Sequence, residues 1–195
     1  DSSDISAMSN FSEKFYQEGS DQSAIYCINK THRFPQTIAD LSSFFIQKNP
    51  SQIPKKIISH ASNEPKDIHF CEMYDYSNKT ILKLLDDIPK KTEKQSVYIL
   101  GRRNDHIDNI NILELSKKRP DLKIEKSTIH SVKGLEKSIT IILGLDSGAF
   151  PRLLGDDPLT DIFLPLVDSF ENSEERRVMY VAITRSYQHI YLATQ

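Results

Sequence analysis

The stretch "LKIEKSTIHSVKGLEKSITIILG", Leu122 to Gly144, reads as two strands, "LKIEKST" and "ITIILG", on either side of the polar stretch "HSVKGLE". The second strand is a near-continuous run of isoleucine and leucine. A strand with no polar face is buried on both sides, which is the habit of parallel sheets covered by helices. Between the strands lie Lys133, Gly134 and Glu136, the residue types of a phosphate-binding loop in a different order. A nucleotide-binding loop reads G-x-x-x-x-G-K-[ST], and no such string occurs in the 195 residues.

The same alternation extends in both directions. "AIYCIN" (24–29) reads as a short buried strand, and "PQTIADLSSFFIQKN" (35–49) as a helix with Pro35 suited to its first turn. Ile38, Leu41 and Phe45 recur there at helical spacing. "DIHFCEMY" and "SVYILG" are further strands, separated by a helix at "NKTILKLLDDI". A helix at "IDNINILELSKK", stopped by Pro120, precedes the opening stretch. A helix at "SEERRVMYVAITRS" and a last strand "HIYLAT" close the chain. The fold class expected is α/β, a mostly parallel sheet with helices on both faces. Ligands of such sheets gather at loops leaving the strand C-termini.

Composition narrows the function class. A net charge of −2 excludes a polybasic binder but leaves room for a local groove that grips a few phosphates. Cys27 and Cys71 sit far apart in apolar segments, the placement of buried free thiols in a reducing cytoplasm. With Met73 and Phe70 they are expected in the core. His60, His69, His106 and His189 show no ligand spacing. The start, "DSSDISAMSNF", resembles no signal peptide and is read as the cut edge of something longer.

Three loops follow expected strands and concentrate polar residues, which would place them on one edge of the sheet. "NKTHRF" sets His32 beside Arg33, "GRRND" holds Arg102, Arg103 and Asn104, and "HSVKGLE" follows. Planar arginine donors suit phosphates, although each arginine could equally pair with a nearby acid. The helix "SEERRVMYVAITRS" has Asn172 or Ser173 to cap it, and Glu174 and Glu175 favour its positive end. Val178, Val181 and Ala182 form its inward face, and Arg185 emerges at its end. That arginine could serve only to complement the helix dipole.

Taken together these strings resemble the UvrD/Rep-type superfamily 1 DNA helicases. "STIHSVKGLEKSITIILGLDSGAFP" resembles their motif V and its continuation, "EERRVMYVAITRS" motif VI, and "NKTHRF" the arginine-bearing motif IV. "VYILGRRND" is similar to the segment that those enzymes set against single-stranded DNA. The short spacing between "GRRND" and "STIH", where UvrD and Rep carry a large inserted subdomain, points to the helicase IV branch.

The resemblance implies the second RecA-like motor domain over residues 21–195, with residues 1–20 a remnant of the segment after motif III. A first motor domain, elsewhere, would carry the P-loop and the Mg2+ ligands, so this fragment alone should bind no cofactor and be inactive. Arg33 and Arg185 match the arginines that reach ATP from across the cleft, and Glu136 matches an acceptor for the ribose. Gly134 matches a position where backbone approaches nucleotide. His32 stands where the family has a tyrosine that stacks on adenine. Thr128, His130, Arg102 and Asn104 match contacts to single-stranded DNA, and Lys133 a bridge to the first motor domain. Related motors without the inserted subdomain remodel RNA polymerase, and a non-catalytic DNA-binding module is the remaining alternative.

Overall fold

The computed structural model describes residues 26, 28–61, 67–151 and 170–195. In chain order the elements are β1 (Lys30–Thr31), α1 (Gln36–Ile46), β2 (Ile58–Ser59), β3 (Ile68–Glu72), α2 (Asn78–Asp86) and β4 (Gln95–Gly101). After these come α3 (Ile112–Lys118), β5 (Leu122–Thr128), β6 (Lys137–Leu143), α4 (Ser173–Ile183) and β7 (Ser186–Thr194). Five strands form one sheet in the order β3-β7-β6-β4-β5, and every neighbouring pair is parallel. The expected α/β architecture is therefore present.

Strand alternation divides the core in two. Val97, Ile99, Ile139, Ile141 and Tyr191 point to one face, where Ile81, Leu84 and Leu85 of α2 and Leu115 of α3 cover them. Tyr98, Leu100, Ile142, Ile190 and Leu192 point to the other, under Ile38 and Ala39 of α1 and Val178, Met179 and Ala182 of α4. Ile99, Ile139, Ile141 and Ile142 have no exposed surface, and each such side chain contributes about 1.5–3 kcal/mol by burial. This is why the central strands read as unbroken apolar runs.

Local chemistry sets the helix boundaries. Ser77 caps α2 by accepting a hydrogen bond from the Thr80 amide. The helix expected from Ile107 starts later, at Ile112, because the Asn111 side chain accepts from the Glu114 amide at 3.2 Å and caps the chain there. Residues Asn104–His106 form instead a single 3₁₀ turn.

Two expectations fail. Of "AIYCIN", the described residues Tyr26 and Ile28 are 86% and 76% exposed and belong to no strand, so they are not the buried strand expected there. Pairing starts only at Lys30, whose short strand β1 joins β2 in a separate two-stranded sheet. Phe70, expected in the core, is 79% exposed. It lies on edge strand β3, where no described helix covers its position. Met73 is buried as expected, and Cys71 is a half-buried free thiol whose pKa burial raises. Cys27 and residues 1–20 lie outside the described residues.

Candidate functional site

The route from β5 to β6 decides where the polar residues go. These strands are not neighbours, for β4 lies between them. Residues 129–136 must therefore leave the C-terminal edge of the sheet, pass β4 and enter β6 at the N-terminal edge. Seven-residue strands put those edges about 20 Å apart, and eight residues reach at most about 28 Å. The segment has to run almost directly. It lies on the α1/α4 face, pinned by the buried side chains of Ile129 and Val132. Its backbone is satisfied along the way, with Ile129 N donating to Gly101 O, Ser131 N to Thr128 O and Leu135 N to Val132 O. Gly134 has φ +92°, a left-handed conformation that glycine adopts freely, and no neighbour crowds it.

One cluster forms where this segment ends. Glu136 immediately precedes β6 and Arg185 immediately precedes β7, and the Lys137 amide donates to Arg185 O at 3.0 Å. Arg33, just after β1, joins them through an ion pair from its Nε to Glu136 Oε2 at 2.9 Å. Both partners of that pair are open to solvent, so it holds the side chains only loosely. Arg185 is fixed much more firmly. Its Nε donates to Val181 O at 2.9 Å, its Nη1 to Leu135 O at 3.2 Å and its Nη2 to Thr184 Oγ1 at 3.2 Å. Burial, and then the neighbouring Arg33 charge, lower its pKa, while Glu136 and Tyr180 pull the other way. Two arginines facing one carboxylate leave a surplus of positive charge, the requirement for seating a polyanion.

A second cluster forms where the segment begins. Gly101 and Thr128 are register partners at the ends of β4 and β5. Arg102 follows Gly101, and its Nη1 lies 2.8 Å from His130 Nε2. The other side of its guanidinium meets Glu175 of α4, with Nη2 2.5 Å from Oε1. Hydrogen bonding to Glu175 raises the pKa of Arg102 against the effect of burial. Thr128 Oγ1 lies 2.8 Å from Ser131 Oγ, and Asn104 is exposed at the head of the 3₁₀ turn.

Arg33, Arg102 and the "HSVKGLE" stretch do not share one edge as expected. Arg33 belongs to the small sheet and meets Glu136 and Arg185 at the N-terminal edge. Arg102, Asn104, Thr128 and His130 gather at the C-terminal edge. The cause is the crossing segment, which begins at one edge and ends at the other. His32 is exposed, its ring 5.5 Å from that of His60, and Lys133 is exposed midway along the crossing.

Two arrangements go beyond the expectations from sequence. Glu175, expected to favour the positive end of its helix, is instead buried in an ion pair with Arg102. Its spacing from Val178, Met179 and Ala182 places it on the inward stripe of α4, and an acid there signals a buried cation. His69, His189 and Asp67 come within 4.8 Å of one another despite lacking sequence spacing. Parallel pairing explains it, because Ile68 faces Ile190 and the flanking side chains share a face. His69 is stacked on Tyr191 at 4.4 Å between ring centroids. Among the described residues no helix is long and apolar enough to cross a membrane.

Residues 108–195 match the family described as the UvrD-like helicase C-terminal domain. Over 166 residues the chain is 28% identical to DNA helicase IV of Escherichia coli K12, covering 84% of this chain and 24% of that protein. It is 38% identical over 65 residues to ATP-dependent DNA helicase PcrA of Bacillus subtilis 168, covering 33% of this chain and 7% of that protein. The chain thus spans about a quarter or less of the length of these relatives. A solved C-terminal domain of a possible DNA helicase from Lactobacillus plantarum is 13% identical with a TM-score of 0.48, covering 84% of this chain and 87% of that one. That likeness is too loose to assign anything.

Proposed function

We propose, from the premise that residues 108–195 carry the UvrD-like helicase C-terminal domain, that this chain is the second motor domain of an ATP-dependent DNA helicase. Movement would be 3′ to 5′, as the family resemblance implies. The observation that carries the reading is the meeting of Arg33, Glu136 and Arg185, drawn from three distant parts of the chain, at one edge of the sheet.

In this reading ATP and Mg2+ bind to a first motor domain, which supplies the P-loop and the metal ligands. Arg33 and Arg185 approach the γ-phosphate from the opposite side and stabilise charge on the transferring group. Glu136 accepts a hydrogen bond from the ribose, Gly134 brings backbone near the nucleotide, and His32 stacks on adenine. Arg33 pairs with Glu136 across the cluster. With ATP present each exchanges the other for part of the nucleotide. Lys133 meets the first motor domain. At the far edge Thr128, His130, Arg102 and Asn104 face the backbone of single-stranded DNA. The crossing segment and α4 both link the two edges, so closure around ATP alters the grip on DNA.

The expected result is Mg2+-dependent ATP turnover, stimulated by single-stranded DNA, in the longer protein, and none in this chain alone. Robust turnover by the chain alone would overturn the proposal, because the phosphate and metal ligands would then have to lie here.

A further inference from the structure

Glu175 has more hydrogen bonding than a helix-dipole partner needs. Its side chain is 4% exposed, and both of its oxygens are held by Arg102. Nη2 donates to Oε1 at 2.5 Å, and Nε lies 3.1 Å from Oε1 and 3.0 Å from Oε2. This fork fixes the plane of the guanidinium and leaves Nη1 directed at His130 Nε2, 2.8 Å away. A guanidinium has donors only. His130 Nε2 must therefore accept, so the ring is neutral and its proton sits on Nδ1. His130 is exposed, and its Nδ1 has no partner among the described residues.

We propose that Glu175 is a positioning residue that acts through Arg102 to lock His130 as the Nδ1–H tautomer. The locked ring then presents an N–H donor to a phosphate oxygen of single-stranded DNA. The inference rests on the reading of this edge as the DNA grip. It adds the group that orients that grip and ties it to the other edge. Glu175 opens the helix whose last turn leads into Arg185, a rigid connection about 15 Å long. A shift of α4 during closure around nucleotide would carry Glu175 with it. The lock on His130 would tighten or slacken in step.

Free histidine side chains in water prefer the Nε2–H form, so the lock has a spectroscopic signature. Long-range ¹H–¹⁵N correlation on this chain should find His130 as Nδ1–H. In Glu175→Gln it should shift to a mixture dominated by Nε2–H. Affinity for a fluorescent oligo(dT) should fall about tenfold with it, the size expected for a lost charge-assisted hydrogen bond. Arg102→Lys keeps a positive charge beside Glu175 but removes Nη1, and should give the same tautomer shift if the glutamine variant folds poorly. A purely structural ion pair would lower stability without moving the tautomer. His130 remaining Nδ1–H in both variants overturns the proposal whatever happens to affinity. If the tautomer shifts as expected but the wild-type chain binds no oligo(dT) at low salt, the DNA reading fails and the internal relay is what survives.

Discussion

Arg185→Ala in the longer protein should lower DNA-stimulated ATP turnover by roughly 10³-fold or more, the scale set by an arginine that stabilises a transferring phosphoryl group. The expectation follows from how Arg185 is held. It is 6% exposed, and three of its N–H groups are committed to Val181, Leu135 and Thr184. A guanidinium has five such protons, so among the described residues two remain to meet a phosphate in an orientation fixed before the ligand arrives. Burial lowers its pKa, but arginine stays charged in proteins. The substitution also strips donors from the Leu135 and Val181 carbonyls, which costs about 1–3 kcal/mol if they are left dry. Arg185→Lys separates the two effects. It keeps a charge while losing the fork, so turnover should still fall by more than tenfold with a smaller change in stability. Turnover that survives both substitutions would remove Arg185 from the chemistry.

The largest effect on stability is expected at Arg119, which is 3% exposed. Its Nη1 donates to Leu85 O, and its Nη2 donates to Ile88 O at 3.1 Å and to Asp121 Oδ2 at 2.6 Å. One side chain thereby closes the C-terminal end of α2 against the entrance to β5. Arg119→Ala leaves two carbonyls and a carboxylate without that partner and should cost about 3–5 kcal/mol in urea unfolding. The effect depends on pH in a definite direction. Hydrogen bonding to Arg119 is the main cause holding the Asp121 pKa below its ordinary 3.8. A lowered native pKa gives stability that is present above about 3.8 and lost as pH falls through the native value. The gap between wild type and Arg119→Ala should therefore be full near neutrality and narrow below pH 4. A gap that stays constant down to pH 2 would show that the carboxylate contributes nothing.

The parallel sheet was legible because Ile139 to Leu143 and Val97 to Leu100 leave no polar face, and only burial on both sides tolerates that. The gathering of Arg33, Glu136 and Arg185 was legible only through the family resemblance. Physical reasoning put Arg33 on the wrong edge, since it assumed that a polar stretch after a strand stays where the strand ends. Whether "HSVKGLE" turns locally or crosses the sheet depends on strand order, and strand order is set by contacts far apart in sequence. Ile129 and Val132, apolar residues inside a polar stretch, were the available sign that it lies against the core. Phe70 misled for a related reason. Its strand pattern is that of a buried strand, but β3 ended at the edge of the sheet. Glu175 could have been found by its spacing alone, had the acid been weighed against the apolar stripe it occupies.

The central claim is that the two edges are energetically coupled through α4 and the crossing segment. Coupling of this kind is reciprocal, so a nucleotide that engages one edge must change affinity at the other. The most direct measurement is the affinity of the longer protein for oligo(dT), with and without a non-hydrolysable ATP analogue, in wild type and Arg185→Ala. The wild type should change its affinity by about fivefold or more when the analogue binds, and Arg185→Ala should lose most of that change while still binding the analogue. An equal response in the two proteins, or none in either, would contradict the coupling.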